Sequence, residues 1–375
     1  MRARTFDEEE RAALEAVLRP LAEARPLPSW TYLDEALFAW ERETIFARSW
    51  RLAGREDDVA LPGQFFVSPL TREGVLVARG ADLEVRAFQN VCRHRAALLV
   101  TEDRGRAACF SCPYHGFRYE LSGALAEAPG AAPSFDRSAH ALTKVELVSR
   151  EGFLFASPAP AAPFSPVPPW LVGLPKLARA HRSSYEVKAN WKLCAENFQE
   201  SLHFPRVHPA LERLTRTEHA ASWIPESGPW LGGVMDLALG VETVSTTGKL
   251  EGRALLVPEE RSRKVHDALL FPTLFLSLQP DYLLTYSLHP LAVDRTRVVA
   301  DVFLHAASAG RDLSSVTSFW AQVNEEDRAI CQSQQVGAGA RGFEGTGYLP
   351  VEDGVHAVGR LVARAYLEAT SRPAG

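Results

Sequence analysis

The sequence that decides the fold begins as Cys92-Arg93-His94, continues for 17 residues, and closes with Cys112-Pro113-Tyr114-His115. Each short segment therefore offers one thiolate and one imidazole. A zinc site of two Cys and two His usually takes both cysteines from one end of its motif and both histidines from the other. A [2Fe-2S] cluster with mixed ligands needs two thiolates on one iron and two imidazoles on the other. The pairing favours the cluster over structural zinc, with thiolates and imidazoles assigned in pairs: Cys92 and Cys112, then His94 and His115.

The ligand set also predicts how the cluster behaves. Neutral imidazoles in place of two thiolates make the reduced cluster less negative and raise its potential, so it should accept electrons readily. Gly116 permits a tight turn after His115, and Pro113 restricts the backbone before it. Because such a cluster transfers single electrons and makes no bond to a substrate, we expect a second site that consumes them.

Length and composition indicate a globular protein of two domains. The chain has 375 residues, 46% of them hydrophobic and 23% charged, with a net charge of −5. Neither a basic block nor a basic amphipathic helix is present, so nucleic acid and membranes are not expected partners. No apolar stretch reaches the roughly 18 residues of a membrane span, and no secretory h-region follows the polar start. We therefore expect a cytoplasmic protein, in which Cys109, Cys194 and Cys331 are free thiols rather than parts of a disulfide framework.

The order of predicted elements indicates an α+β protein. Helices are predicted at residues 7–24 and 34–48, before short strands between Trp50 and Phe155 that form a small antiparallel β domain. A proline-rich linker follows. Strands from distant parts of the remaining sequence then predict one antiparallel sheet flanked by helices, among them helices at 312–335 and 351–370. The expected domains are N-terminal helices that pack on the catalytic domain, a cluster domain and the catalytic domain, at residues 1–48, 49–160 and 161–375.

A second metal site is predicted after Asn190. If residues 190–202 are helical, Glu196, Glu200 and His203 share one face. Pro205 would end the helix, and the following turn would bring His208 back toward His203. Two imidazoles and one carboxylate make the facial triad that leaves positions of Fe(II) open to O₂ and substrate. The alternative is two helix-end histidines beside ordinary acids.

The carboxylate of this triad is expected on the helix that begins near Asp312. Three acids follow one another there, Glu325, Glu326 and Asp327. Periodicity does not choose among them, and consecutive acids on a helix are usually solvated.

Together the two patterns resemble the α subunits of Rieske non-haem iron ring-hydroxylating oxygenases, from about Tyr32 to Tyr366. Within that family the chain is most similar to members that oxidise quaternary amines, such as choline, carnitine and glycine-betaine monooxygenases. The resemblance implies a Rieske [2Fe-2S] cluster and a mononuclear Fe(II) held by His203, His208 and Asp327. It is carried by these motifs: Asn90-Val91-Cys92-Arg93-His94-Arg95-Ala96, Cys112-Pro113-Tyr114-His115-Gly116-Phe117, Asn190-Trp191-Lys192, Glu196-Asn197-Phe198, Phe271-Pro272-Thr273, Pro280-Asp281-Tyr282-Leu283-Leu284 and Glu326-Asp327-Arg328.

The resemblance also implies a role for Glu200. In family members the acid at this place connects the Rieske histidine of a neighbouring subunit to the mononuclear iron, which implies a ring-shaped homo-oligomer, usually a trimer. Glutamate here is typical of the quaternary-amine group, whereas Leu202 departs from the Tyr that relatives often carry. The alternative is a helix-face glutamate paired with Arg206.

Three functions are compatible with these sites. No dinucleotide-binding glycine motif is present, so electrons should come from NAD(P)H through a separate reductase. The first function is O₂-dependent hydroxylation or N-demethylation of a small quaternary or methylated amine. The second is dihydroxylation or O-demethylation of an aromatic acid, and the third is electron transfer by the cluster alone. The substrate pocket is expected between Leu211 and Leu288, where the aromatic and Met side chains are Trp223, Trp230, Met235, Phe271, Phe275 and Tyr286.

Overall fold

The computed structural model describes residues 4–225, 228–343 and 345–371. These residues form two compact units, one from residues 42–164 and one in which residues before 42 join residues after 164. Each unit is built on antiparallel sheets, and most helices belong to the second unit. The predicted α+β class is therefore confirmed. Across the described ranges, no helix combines the length and apolar character that a bilayer crossing needs.

The smaller unit contains two antiparallel sheets. The larger sheet has the order β1-β10-β9-β4-β3-β2-β5, and the smaller has the order β6-β7-β8. Val75, Leu76, Val77 and Ala78 on β3 are all fully buried, which is the pattern of a central strand covered on both faces. The ten strands are β1 (Arg51–Arg55), β2 (Gln64–Ser68), β3 (Val75–Arg79), β4 (Val85–Gln89), β5 (Arg104–Arg106), β6 (Cys109–Ser111), β7 (Arg118–Glu120), β8 (Leu125–Glu127), β9 (Lys144–Arg150) and β10 (Phe153–Ser157).

The larger unit has one seven-stranded antiparallel sheet, in the order β11-β17-β16-β15-β14-β13-β12. All five residues of β15 are buried, so the middle of this sheet is covered on both faces. Its strands are β11 (Leu177–Val187), β12 (Ala221–Trp223), β13 (Trp230–Asp236), β14 (Lys264–Leu270), β15 (Leu274–Leu278), β16 (Tyr282–Ala292) and β17 (Arg295–His305).

Eight α-helices accompany these strands in the described residues. α1 begins at a capping box, in which Asp7 accepts from the Glu10 backbone N–H and Glu10 accepts from the Asp7 backbone N–H. It ends at Val17, earlier than the predicted Ala24. After α3 the chain forms a π-helical turn (Arg42–Phe46). The helices are α1 (Glu8–Val17), α2 (Trp30–Leu33), α3 (Glu35–Glu41), α4 (Trp191–Phe198), α5 (Phe204–Val207), α6 (Pro209–Leu214), α7 (Ser314–Ala338) and α8 (Asp353–Ser371).

A buried ion pair fixes α4 in the larger unit. Lys192 Nζ donates to Glu41 Oε1 at 2.7 Å, and both side chains are fully buried. Trp191 Nε1 donates to the second Glu41 oxygen at 3.1 Å, and the Tyr366 hydroxyl donates to the first. One carboxylate from α3 thus joins α4 to α8, because each of its oxygens has a donor that is itself buried.

Candidate metal centres

The two loops predicted to hold the cluster repeat one backbone pattern. In the first loop the Cys92 N–H donates to the Ala97 carbonyl at 2.9 Å, and the Ala96 N–H donates to the Cys92 carbonyl at 3.1 Å. In the second loop the corresponding bonds are Cys112 to Phe117 at 2.8 Å and Gly116 to Cys112 at 3.0 Å. The residue that turns each loop is in the left-handed region, Ala96 at φ 57° and Gly116 at φ 72°. The loops therefore present their side chains as a matched pair.

The four donor side chains of these loops lie together and fit the predicted cluster. Cys92 and Cys112 are buried, and the rings of His94 and His115 are 4.7 Å apart. Nδ1 of His115 is buried without a hydrogen-bond partner, as expected for an atom that binds metal. Tyr119 places its hydroxyl 3.3 Å from Cys92 Sγ, and the His94 ring stacks on Phe117. Two thiols and two imidazoles presented by paired loops match the donor set that a [2Fe-2S] cluster with mixed ligands requires.

The helix predicted for residues 190–202 is shorter in the structure. Asn190 caps α4 through the Lys192 N–H, but α4 ends at Phe198. The predicted face of three residues does not form, because the His203 N–H donates to the Glu200 carboxylate instead of to a helical carbonyl. Glu196 remains on the helix, where it accepts from the Tyr32 hydroxyl at 2.8 Å, and burial raises the pKa of Glu196 to about 7. α8 approaches the end of α4 so closely that a Cβ on Gly354 would lie 2.2 Å from the Gln199 carbonyl oxygen.

His203, His208 and Asp327 converge. Their candidate ligand atoms lie within 4.8 Å of one another, which is close enough for a single metal ion. His208 Nε2 is 2.8 Å and His203 Nε2 is 3.6 Å from Asp327 Oδ1. His203 precedes α5 and His208 stands between α5 and α6, so the two short helices set the angle between the rings. Two imidazole nitrogens and one carboxylate oxygen on one side of a site fit a facial triad for Fe(II).

Two further carboxylates hold the outer nitrogens of these histidines. His203 Nδ1 donates to Glu200, and His208 Nδ1 donates to Glu326 Oε2 at 2.7 Å. Glu200 therefore has His203 as its partner here, rather than Arg206. Burial disfavours a charged His203 ring, but Asp327 and Glu200 together raise its pKa to about 9. Outer acceptors of this kind hold the Nδ1 proton and orient each ring, so that Nε2 faces the site and can bind metal once it loses its own proton.

α7 separates the three consecutive acids that periodicity could not rank. Glu325 is exposed and accepts from Arg328 at 2.6 Å. Glu326 turns to His208, while Asp327 accepts from Asn197 Nδ2 at 2.7 Å. Burial opposes the Asp327 charge, yet hydrogen bonds from both histidines hold its pKa at about 2. Each acid thus has a different environment on successive positions of one helix.

Replacing Glu326 with Gln tests the outer acceptor of His208. An amide can present its nitrogen to His208 Nδ1, which would disturb the tautomer that leaves Nε2 free. We expect iron affinity or activity to fall about 10- to 100-fold. The measurement is iron content after dialysis against graded chelator. Glu325→Gln is the matched control, and an equal loss in both variants would contradict the assignment.

A cavity of about 110 Å³ lies beside this triad. Its floor is one face of the sheet, where cross-strand partners such as Phe275 and Tyr286 lie side by side. Its other wall comes from α4, the two short helices and α7. Six aromatic side chains line it: Tyr185, Phe198, Phe204, Phe275, Tyr286 and Trp320.

The predicted pocket residues divide into two groups. Met235, Phe275 and Tyr286 line the cavity. Trp223 and Trp230 are not among the lining residues and pack against each other with centroids 4.5 Å apart, while Phe271 packs on Trp191. Sequence reasoning missed Glu326 as a partner of His208 and also missed Asp267, which lines the cavity. The one sequence signal for Asp267 is the alternation of side chains along β14, which places Asp267 on one face of the strand. Alternation does not say which face of the sheet lines a site.

The remaining cysteines are free thiols, as predicted. Cys194 and Cys331 are buried and line the cavity. Cys109 accepts from Arg118 Nη2 at 3.4 Å and lies on β6, outside the paired loops.

Two known protein families match the chain. Residues 49–146 match the Rieske [2Fe-2S] domain, and residues 174–368 match the catalytic domain of the ring hydroxylating alpha subunit. Both candidate donor sets fall in these ranges. The family matches themselves do not say which residues bind metal.

Relatives with assigned activities match most of the chain. The glycine betaine monooxygenase oxygenase subunit of Pseudomonas aeruginosa is 25% identical over 89% of this chain and 87% of its own length. Choline monooxygenase of Spinacia oleracea is 27% identical over 90% of this chain and 77% of its own length.

Among solved structures, a quaternary ammonium Rieske monooxygenase in complex with an inhibitor shares the fold with a TM-score of 0.77 at 22% identity, covering 97% of this chain and 99% of that one. The second family match alone spans more than half of the chain. The chain therefore belongs to the ring-hydroxylating alpha subunits, the oxygenase components of Rieske non-haem iron oxygenases.

Proposed function

We propose that this oxygenase hydroxylates or N-demethylates a small quaternary or methylated amine. The observation that carries the proposal is the cavity beside the histidine–carboxylate triad, whose lining combines six aromatic rings with the carboxylate of Asp267. Aromatic faces attract methylated ammonium groups through cation–π interaction. The names of the relatives from Pseudomonas aeruginosa and Spinacia oleracea support the same substrate class.

In this proposal the chain binds two metal centres, each through its own set of side chains. The Rieske cluster would be held by Cys92, Cys112, His94 and His115, and mononuclear Fe(II) by His203, His208 and Asp327. Bound iron supplies reductive activation of O₂, with electrons from NAD(P)H delivered by a separate reductase. In the overall reaction a C–H bond becomes C–OH, the second oxygen atom leaves as water, and NAD(P)H with one proton becomes NAD(P)⁺. Hydroxylation of an N-methyl group would then release formaldehyde.

The protein contributes orientation and exclusion of water. Glu200 and Glu326 hold the two ring tautomers, and Asn197 holds Asp327 Oδ1. The aromatic walls surround the substrate's methyl groups with apolar surface, which brings a C–H bond toward the open side of the triad. Positioning of this kind accounts for a large share of enzymatic rate enhancement.

Glu200 is proposed as the electron bridge between subunits of a homotrimer. Its carboxylate already accepts from His203, and a carboxylate can accept a second bond from a cluster histidine of a neighbouring copy. Such an arrangement would shorten the path between the two metal centres.

We expect Glu200→Gln to slow electron transfer to the iron that stays bound, beyond the loss of iron affinity that follows from removing the outer acceptor of a triad histidine. The measurement is the rate at which a chemically reduced cluster is reoxidised in a single turnover with O₂ and substrate, followed by visible absorption. Glu326→Gln removes the outer acceptor of the other histidine without changing the proposed bridge and serves as the control. An unchanged reoxidation rate in Glu200→Gln would contradict the bridge.

A substrate screen tests the proposed function directly. Holoenzyme with a generic reductase is supplied with methylated amines and, separately, with aromatic acids, and O₂ uptake is measured alongside formaldehyde release. We expect uptake coupled to product only with the amines. Coupled turnover of aromatic acids alone would overturn the proposal, and failure of every compound to be oxidised while the cluster still cycles would favour an electron-transfer role.

A further inference from the structure

Three hydrogen-bonded polar side chains lie on the cavity floor, and none of them is a proposed ligand of either metal centre. Asp267 on β14 stands directly across from Ser277 on β15, and Gln279 follows on the same face. The Ser277 hydroxyl bonds to the Asp267 carboxylate and accepts from Gln279 Nε2 at 2.9 Å. All three side chains line the cavity beside the triad.

We propose that Asp267 is the counter-ion for the substrate's ammonium group, so that the cavity selects a methylated amine of net positive charge over a zwitterionic betaine. This inference rests on the proposed function and names its substrate class more narrowly. The proposed ligand contains a trimethylammonium or protonated dimethylamine group and also carries a hydroxyl or N–H donor.

The charge of Asp267 lacks an internal partner. Among the described residues no Lys, Arg or His forms an ion pair with it, and Ser277 is its hydrogen-bond partner. Burial raises the pKa of Asp267 to about 6, and an ammonium group bound beside the carboxyl would favour its ionised form. A carboxylate kept in an apolar cavity without a cation is unfavourable for the folded protein. A ligand cation would relieve that cost.

Gln279 is the reason that the proposed ligand also carries a hydroxyl or N–H donor. Its side chain is 1% exposed, and its Oε1 is buried without a hydrogen-bond partner. Nε2 donates to Ser277, and Oε1 is the Gln279 side-chain atom that is left without a partner. Buried acceptors without partners are rare, and a ligand hydroxyl or N–H would satisfy this one.

The charges around Asp267 disfavour a second, negative group on the ligand. Among the described residues that line the triad cavity, Arg328 is the one Lys or Arg, and it is paired with Glu325 at 2.6 Å. A neighbouring cavity of about 460 Å³ shares Asp267 and adds the carboxylates of Glu200, Glu218 and Asp353, with no Lys or Arg in its described lining. The field of these acids attracts a cation and repels a carboxylate.

The test compares three probes of similar size on the holoenzyme: choline, glycine betaine and 3,3-dimethylbutan-1-ol, in which carbon replaces the charged nitrogen. Dissociation constants come from calorimetry and kcat/KM from coupled O₂ uptake. We expect the wild type to prefer choline over both other probes. In Asp267→Asn, choline binding should weaken by about 30-fold or more, while the neutral alcohol binds as before.

Asp236→Asn is the matched control, because it removes one carboxylate from an exposed pair with Lys264 on the adjacent strand. Thermal unfolding of Asp267→Asn should not fall below that of the wild type, since the change removes an unpaired charge. The wild-type preference for choline over betaine needs no variant and tests the selectivity even if Asp267→Asn fails to fold.

Three results would overturn the inference. These are a wild-type preference for betaine, equal weakening of choline and the neutral alcohol in Asp267→Asn, or unchanged choline binding in that variant. In each case methylated amines would still be oxidised, so the proposed function would stand. Oxidation of aromatic acids alone would instead remove the proposed function and this inference with it.

Discussion

Replacing Asp327 with Ala is expected to abolish substrate oxidation and to leave the visible absorption of the cluster unchanged. Asp327 Oδ1 is the atom on which both histidine Nε2 atoms converge. Without it two neutral imidazoles remain, and two ligands bind Fe(II) far more weakly than three. The cluster's four donors lie in a different unit of the fold, so their iron should stay. Iron should fall from about three to about two per chain, with two acid-labile sulfides retained.

Glu325→Ala is the matched control for this variant. It removes a carboxylate two positions earlier on the same helix, where the side chain is exposed and paired with Arg328. Iron content and turnover should stay near the wild-type values. Turnover by Asp327→Ala would show that the triad is wrongly assigned, and loss of the cluster absorption would show that the change acts on the whole fold.

The largest effect on stability is expected from Glu41→Gln. Glutamine keeps the size of the side chain but leaves the Lys192 ammonium buried without its ion-pair partner, and it weakens the bonds from Trp191 and Tyr366. Burial already lowers the pKa of Lys192 against the opposing effect of Glu41. Removing one partner of a buried pair costs about 3–5 kcal/mol. The measurement is the free energy of unfolding of the larger unit, by denaturant titration of tryptophan fluorescence.

Two variants calibrate that result. Asp82→Asn breaks an exposed pair with Arg86, for which we expect a loss of stability far smaller than that of Glu41→Gln. Combining Glu41→Gln with Lys192→Met removes the orphaned charge and should recover part of the stability. A loss for Glu41→Gln no larger than that for Asp82→Asn would contradict the role of this pair.

The cluster loops show what short spacing can predict. Each loop places a thiol and an imidazole within four positions, and the hydrogen bonds that shape each loop also run within six residues. The chemistry of such a loop is local, so a donor set for the cluster could be predicted without knowing where the sheet lies. The helix from Asn190 shows the opposite case. Its cap was readable, but its end depends on Glu200 taking a backbone N–H and on the approach of Gly354 from α8.

The sequence by itself determined the α+β class and the family, and it predicted the two donor sets with Asp327 among them, because these depend on residue type, order and spacing. The tertiary structure alone decided the different surroundings of three acids that are consecutive in sequence. Glu325 faces solvent, Glu326 contacts His208, and Asp327 joins the two histidines in the triad. It also decided that Asp267 faces a cavity, since a strand's alternation gives two faces and only packing chooses the one that lines a site. Long-range packing sets these environments, and no local pattern encodes it.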